Sequence, residues 1–439
     1  MTRVVLLPVL LLLAQEAPPR KVDRVVAAFY AGRWDATTGE GMTRPGGGDA
    51  FQDHPESFRE FTYRSSAWHR KNLEEMAAAG IDVALCEFAG NSAAVDALVA
   101  ALESAEKEKK KTAKVAPVID DPTRALALLG RIPARFLATA EGRPMVWFPP
   151  SKRAAPAALE ATRMMVPFFA VATAAWGKPD LVYLPGGDFD GPKEMDVITV
   201  GPGYRDGAAR VRDRADGAWY ERSWYLALKM RPRILAIESW NRFDEGSTIC
   251  PTVEHKKDFV DRTRKYAALF KKGEELERPK GKYSNAVGAS FHLKFNPPSE
   301  GLQPVAAPGA AFEVVALTDD KILIAKPVEG VARRILAFAV DDSYALYERR
   351  EYEVQAQVLD KGTGRLVLEY DAASPGKGGT DRTRRAAEPF YFTDSGGWAT
   401  ATFRLPEAAF ANRQEGGSDF RLVREKGGIS IRWIQIQAR

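Results

Sequence analysis

Carboxylates, aromatic rings and imidazoles gather at the ends of short apolar runs through the first 250 residues. Tyr30, Trp34 and Asp35 follow one run, His54 lies in the stretch after it, and Trp68 and His69 open the next polar segment. Glu87 closes a second run, Asp120 a third, and Tyr204 follows a later one. The richest segment is Glu238 to Gly246, which carries Glu238, Trp240, Asn241, Arg242, Asp244 and Glu245 within nine residues. Such a mixture suits sugar recognition, because an aromatic face covers the C–H face of a pyranose while carboxylates, amides and imidazoles bond its hydroxyls. Glycoside hydrolysis would need two carboxyl groups, one of them protonating the leaving oxygen. Glu245, Glu238 and Asp120 are the candidates for that work. Tyr30, Trp34, Asp35, His54, Trp68, His69, Glu87, Tyr204, Trp240, Asn241 and Arg242 are the candidates for holding the sugar. The two cysteines, Cys86 and Cys250, have no metal-ligand spacing and read as separate buried thiols. No metal and no cofactor is expected.

Positioning these groups falls to eight apolar runs: Val25–Tyr30, Asp82–Phe88, Lys114–Ile119, Pro144–Phe148, Phe168–Thr173, Leu181–Leu184, Val197–Val200 and Ile234–Glu238. They lack strict polar alternation, as strands buried on both faces do. Amphipathic stretches separate several of them, at Ala93–Lys109, Thr123–Leu129, Pro156–Met165, Trp219–Met230 and, after the last, Lys256–Phe270. Pro156 suits a first helical turn. Repeated strand–helix units of this number predict a (β/α)8 barrel, in which residues just past the strand C-termini face the active site. No Gly-rich phosphate loop follows the first strand, which argues against a doubly wound nucleotide-binding sheet.

After Lys271 the pattern changes. Residues 273–305 are rich in Lys, Gly, Pro and Asn and read as a linker or irregular connection. From 306 to 439 short alternating segments separated by Gly, Asp and Pro predict an all-β jelly-roll sandwich. Ser374–Thr380 reads as an exposed loop. The expected domains are therefore a barrel over 18–272 and a carbohydrate-binding-like sandwich over 306–439. Asp341, Asp342, Asp371 and Asp419 could offer oxygen ligands to Ca²⁺, although scattered aspartates carry little weight.

The 439 residues are 45% hydrophobic and 28% charged, which supports real cores. A net charge of +5 without an aromatic-basic module argues against a nucleic-acid partner. Arg3, the apolar run Val4–Leu13 and the small and polar residues Ala14 to Ala17 have the order of a secretory signal peptide, assigned to 1–17. That predicts an exported protein, periplasmic or extracellular, with no stable membrane insertion once the signal is removed. Oligomeric state is open.

Two groups of motifs carry a resemblance. Trp68-His69, Met76 and Ala79-Gly80-Ile81-Asp82-Val83 resemble the helix-to-strand signature of the endo-α-mannosidase-like glycoside hydrolases and their bacterial relatives. Tyr30, Trp34-Asp35 and Asp53-His54-Pro55 are similar to that family's strand-one region, and Ser239 through Ser247 to its strand-eight motif. Pro251, Glu254 and the helix Asp258–Phe270 continue the match. Asp341-Asp342-Ser343-Tyr344, Leu368-Glu369-Tyr370-Asp371, Trp398-Ala399-Thr400, Phe410 to Gln414 and Asp419-Phe420-Arg421 resemble a jelly-roll module attached to such bacterial barrels. The resemblance implies two glutamates three positions apart at strand eight, one assisting as base and one as general acid. Here Arg242 occupies the first position and Asp244 the place of a histidine before the second. Arginine stays protonated and cannot be a carboxylate base. The resemblance thus implies a glycoside hydrolase acting on a polysaccharide or glycan, with Glu245 as general acid and a second carboxylate from another strand. The alternative it leaves open is a non-catalytic glycan-binding protein on a degenerate barrel, with Arg242 receiving an anionic sugar.

Overall fold

A computed structural model describes residues 24–439 apart from 45, 59–60, 89–90, 152–153, 188–191, 193–194, 207–209, 295–297, 318–319 and 373–383. The N-terminal run read as an export signal and the loop Ser374–Thr380 lie outside the described residues.

Eight parallel strands close on themselves. They are β1 (Val25–Tyr30), β2 (Val83–Cys86), β3 (Lys114–Pro117), β4 (Arg143–Phe148), β5 (Phe169–Ala172), β6 (Leu181–Val182), β7 (Val197–Val200) and β8 (Ile234–Ile237). Strand β1 pairs with β2 on one side and β8 on the other, and the ladder continues β2–β3 and β8–β7. Strands β4, β5 and β6 form a second ladder. Single parallel bridges, Val118 with Trp147 and Tyr183 with Val197, join the two ladders into a ring. The architecture is a (β/α)8-type barrel followed by an all-β sandwich.

Strand parity decides which residues meet. Ala27, Phe29, Val83, Leu85, Trp147 and Tyr183 belong to one buried cluster inside the barrel. Their neighbours in sequence, such as Val26, Ala28, Ala84 and Val146, belong to the layer under the helices. Both faces are buried, so the strands read as unbroken apolar runs. Burying each large side chain contributes about 1.5–3 kcal/mol. The same period of two carries the inward face upward from Leu85 to Glu87, from Val118 to Asp120 and from Ala236 to Glu238. Glu87 and Glu238 therefore stand at the C-terminal mouth on the inner side, while Asp120, beyond the end of β3, turns out to solvent.

Six α-helices are present among the described residues: α1 (Ser66–Ala78), α2 (Ser92–Lys107), α3 (Arg124–Arg131), α4 (Pro156–Met165), α5 (Ala218–Met230) and α6 (Asp258–Lys272). Ser65 caps α1 by accepting from the Trp68 amide, and Asn91 caps α2 by accepting from Ala93 and Ala94. Past α1, Gly80 takes φ +83°, a conformation that favours glycine. That turn places Asp82 to accept from the Val26 amide at 3.0 Å and from Lys271 at 2.6 Å. The Ala79–Val83 motif is thus a device that aligns β2 with β1. Only a 3-10 turn, Ala174–Trp176, lies between β5 and β6. No helix among the described residues is long and apolar enough to cross a membrane.

The sandwich has two antiparallel sheets. One contains β9 (Gly288–His292), β10 (Phe312–Leu317), β11 (Asp320–Ala325), β13 (Arg350–Leu359), β15 (Trp398–Ala408) and β17 (Ser430–Ala438). The other is built on β12 (Arg334–Val340), β14 (Thr363–Asp371) and β16 (Phe420–Arg424). Strand β9 comes from the stretch expected to be an irregular connection. Only Ala289 and Phe291 point inward from it, too few to announce a strand among Lys, Pro and Asn.

The jelly-roll motifs form the joint with the barrel. Asp371 is fully buried and ion-paired to Arg413 at 2.7 Å. Asp419 accepts from the Val340 and Asn412 amides at 2.8 and 2.7 Å. Asn412 then donates to Asp342 at 2.9 Å, and Asp342 pairs with Arg222 of α5. Arg222 also donates to the Ala411 carbonyl, and Tyr225 to that of Leu346, both at 3.1 Å. Leu346, Tyr347, Ala409 and Ala411 pack into the barrel's helical layer. Asp341 bonds Ser343. The four aspartates considered for Ca²⁺ are engaged by arginines, amides and a hydroxyl, and no group of carboxylates that could hold a metal ion is found among the described residues.

Candidate active site at the barrel mouth

The strand-eight segment divides into framework and site. Asn241 is fully buried, and its side-chain amide copies a strand partner: Oδ1 accepts from the Ala31 N–H at 2.8 Å and Nδ2 donates to the Ala31 carbonyl at 2.9 Å. Trp240 is also fully buried and donates through Nε1 to Asn72 Oδ1 at 2.7 Å. The Ser239 hydroxyl accepts from the Arg242 amide at 2.8 Å. With its backbone so held, Arg242 crosses the mouth above the Phe29 ring, 5.2 Å from its centroid.

There it grips two carboxylates. Nη2 and Nε bond the two oxygens of Glu87 at 2.5 and 3.1 Å, and Nη1 lies 3.3 Å from Glu245. A single guanidinium thus bonds both the Glu87 and the Glu245 carboxylates. The three side chains are 26%, 18% and 26% exposed for Glu87, Arg242 and Glu245, so the mouth reaches them. Burial pushes the Glu87 carboxyl up, but the Arg242 charge and its hydrogen bonds outweigh this and hold it below the usual range. Arg33 braces the other side, 3.0 Å from Asp244 and 3.3 Å from Glu245. Burial, with Glu245 nearby, raises the Asp244 carboxyl against the pull of Arg33.

Glu238 lies deeper, close enough to Arg242 for its charge to act on the guanidinium. It is 3% exposed and accepts from the Gly186 and Gly187 amides at 2.8 and 2.7 Å. A Cβ on Gly187 would stand 2.1 Å from the Thr199 carbonyl oxygen, so only glycine brings its amide there. Asp120 is 67% exposed at the β3 end, 3.8 Å from Arg124. The Trp147 indole N–H and the Thr173 hydroxyl, inward-facing on β4 and after β5, are buried with no hydrogen-bond partner among the described residues.

Several expected sugar contacts are sealed inside. Tyr30, Trp34, Asp35 and His69 are at most 2% exposed, and Trp68 is 8%. Tyr30 lies on the outward phase of β1 and meets His69 Nδ1 at 2.8 Å, while His69 Nε2 faces the Tyr63 carbonyl at 2.7 Å. Those partners fix the neutral imidazole with its proton on Nε2, and burial lowers its pKa to about 4. Trp34 packs among Phe51, Phe61 and Phe243. Asp35 accepts from Thr37 and Arg64. Trp240 and Asn241 belong with these: they position the mouth and do not line it. His54 is bonded by Asp49 and Glu254, which raise its pKa, and so straps the loop after β1 to the segment after β8. Arg242 is spent on two carboxylates, which removes the basis for an anionic-sugar receptor. Tyr204 borders a cleft of about 620 Å³ beside Glu245, with Arg205, Arg214, Gly246 and His255. Arg33 was not singled out in the sequence; its partners lie more than 200 residues away, and no spacing signals them.

The chain is similar to endo-α-mannosidase-like proteins. It is 33% identical over 99 residues to a glycoprotein endo-alpha-1,2-mannosidase-like protein of Danio rerio, covering 18% of this chain and 22% of that protein. The human protein of the same description is 31% identical over 101 residues, with the same coverage. The chain therefore spans about a fifth of the length of these relatives. No family profile matches. Among solved structures, the GH99 endo-alpha-mannosidase of Bacteroides thetaiotaomicron aligns with TM-score 0.46 and 16% identity over 57% of this chain and 98% of that one. The C-terminal CBM6 of a Zobellia galactanivorans laminarinase aligns with TM-score 0.20 and 13% identity over 31% of this chain and 98% of its own.

Proposed function

We propose that the protein is an exported, carbohydrate-active barrel enzyme that hydrolyses a polysaccharide or glycan at this mouth. The observation that carries the reading is the Arg242 guanidinium drawing the Glu87 and Glu245 carboxylates together at the barrel mouth. Glu245, protonated once the bound glycan displaces the Arg33 and Arg242 guanidiniums from it, delivers that proton to the glycosidic oxygen as the C–O bond breaks, and a water adds to the anomeric carbon and returns a proton to Glu245. Glu87, kept ionised by Arg242, faces the positive charge growing at the anomeric carbon. Glu238 is committed to two backbone amides and Asp120 lies out in solvent, so neither is assigned to the bond-breaking pair. The relatives' description makes α-mannose-containing glycans the first substrates to test, ahead of other polysaccharides.

One observation favours a second reading, glycan binding without cleavage: Arg242 sits between the two carboxylates, where the scissile bond would have to pass. Reducing-end release from mannans and a panel of other polysaccharides separates the two. Release by the wild type that falls at least a hundredfold in both Glu245→Gln and Glu87→Gln is the expected result. Release that survives in Glu245→Gln removes that residue from the mechanism, and binding without release by the wild type establishes the second reading.

A further inference from the structure

The outer face of the β13–β15–β17 sheet is composed differently from the rest of the surface. Cross-strand register sets Thr400, Gln357, Trp433 and His292 side by side on β15, β13, β17 and β9. The next row is Thr402, Gln355, Gln435 and Ser290. Residues directly opposite in an antiparallel ladder share a face, so these two rows form one continuous field four strands wide, roughly 14 Å across. Its opposite side carries Val354, Ala356, Phe403 and Ile434 into the core.

The field carries amides, hydroxyls, one indole and one imidazole, but no Lys, Arg, Asp or Glu. Gln435 donates to Gln355 at 3.0 Å, a ladder that orients both amides. Gln357, Thr400 and Thr402 make no side-chain hydrogen bond to any described residue, and Trp433 is partly buried. Charges begin at the two ends, and Arg404 stands exposed opposite Glu353. Glu353 is buried against Arg439 at one, and Arg432 is ion-paired to Asp320 and stacked over Trp398, 4.2 Å from its ring centroid, at the other. The joint with the barrel uses residues 342–348 and 409–412, so this face is left uncovered by the barrel.

We infer that this face binds an uncharged polysaccharide chain lying across the strands. A neutral polyhydroxyl ligand matches a neutral field of donors and acceptors with an aromatic plate for a sugar's C–H face. A nucleic acid would call for Lys and Arg, and a protein interface for an apolar centre. The ligand class follows from the glycan reading of the barrel, but the site is a separate one. It would hold substrate to the molecule while the mouth works.

Affinity electrophoresis of the full chain through gels containing mannan, xylan, mixed-linkage β-glucan or polygalacturonate tests it. Retardation by at least one neutral polysaccharide and not by polygalacturonate is expected. Trp433→Ala and Gln357→Ala, both surface changes, should weaken that retention about tenfold or more, as loss of a binding hot spot does, while Glu87→Gln and Glu245→Gln retain it. Equal retention by wild type and Trp433→Ala overturns the inference, as does retention lost only in the mouth variants, or no retention in any neutral gel. Reducing-end release reads the mouth independently, so hydrolysis can fail while this face stands, or the reverse.

Discussion

Replacing Arg242 by methionine should turn Glu87 from a stabilised carboxylate into a stranded one. Methionine keeps the aliphatic stem over Phe29 and removes the cation. Removing one partner of a buried ion pair costs about 3–5 kcal/mol, and with side chains 18% and 26% exposed the low end applies, about 3 kcal/mol at neutral pH. The sign of the pH dependence follows from Glu87. In the wild type its pKa is lowered, so its pairing contributes fully above about pH 4.5 and fades as pH falls through the folded value. In Arg242→Met burial dominates and raises the pKa, so the charged form is penalised at neutral pH and relieved on acidification. The stability gap should be widest at pH 7.5 and narrow towards pH 4.5. Urea unfolding of wild type, Arg242→Met, Glu87→Gln and the double variant measures it. The double variant should recover 2 kcal/mol or more relative to the sum of the single changes. A gap that is the same at both pH values, together with additive single effects, would refute the assignment of Arg242 as the counter-charge of Glu87.

Two further perturbations address the scaffold. His69 titrates near pH 4 when folded and near 6.5 when unfolded, so its neutral burial stabilises fully above pH 6.5 and loses about 2 kcal/mol between pH 7 and 5; His69→Asn should flatten that part of the wild-type pH–stability curve, and an unaltered slope would show that another group sets it. Arg222→Ala should strand Asp342 and split a shared unfolding transition of barrel and sandwich into two in calorimetry; a single unshifted transition would show that the joint does not depend on this clamp.

The barrel was legible because burial on both faces writes strands such as Val83–Cys86 as unbroken apolar runs. The start of the sandwich was not, since β9 shows only two core residues. At the site, residue type misled: Tyr30, Trp34 and His69 look like a sugar platform, but aromatic composition does not say which side of the strand is wet. Parity does. Phe29 points into the barrel, which sends Tyr30 outward beneath α1, while Leu85 points inward and carries Glu87 with it to the mouth. The pairing of Arg33 with Asp244 and Glu245 had no comparable signal, because only the closure of the ring brings the ends of β1 and β8 together.

Arg242 stands where the resemblance leads one to expect a glutamate, and the structure gives that change a consequence. A glutamate there would meet Glu87, Glu245 and Asp244 in a half-buried mouth with Arg33 as the nearby cation, and like charges so close oppose their own ionisation. An arginine reverses the balance: it draws Glu87 and Glu245 onto one guanidinium and fixes their spacing. The carboxylate pair is then supplied by β2 and the segment after β8, not by two positions of a single motif. Whether cleavage proceeds depends on Arg242 yielding its place to the glycosidic oxygen while still touching both carboxylates. The side chain is anchored at its backbone by Ser239 and lies over Phe29. On that geometry Arg242→Lys, which keeps the charge but cannot bridge two carboxylates with a planar fork, should lose hydrolysis while keeping mannan bound at the mouth. Full activity in Arg242→Lys would show that charge without bridging suffices.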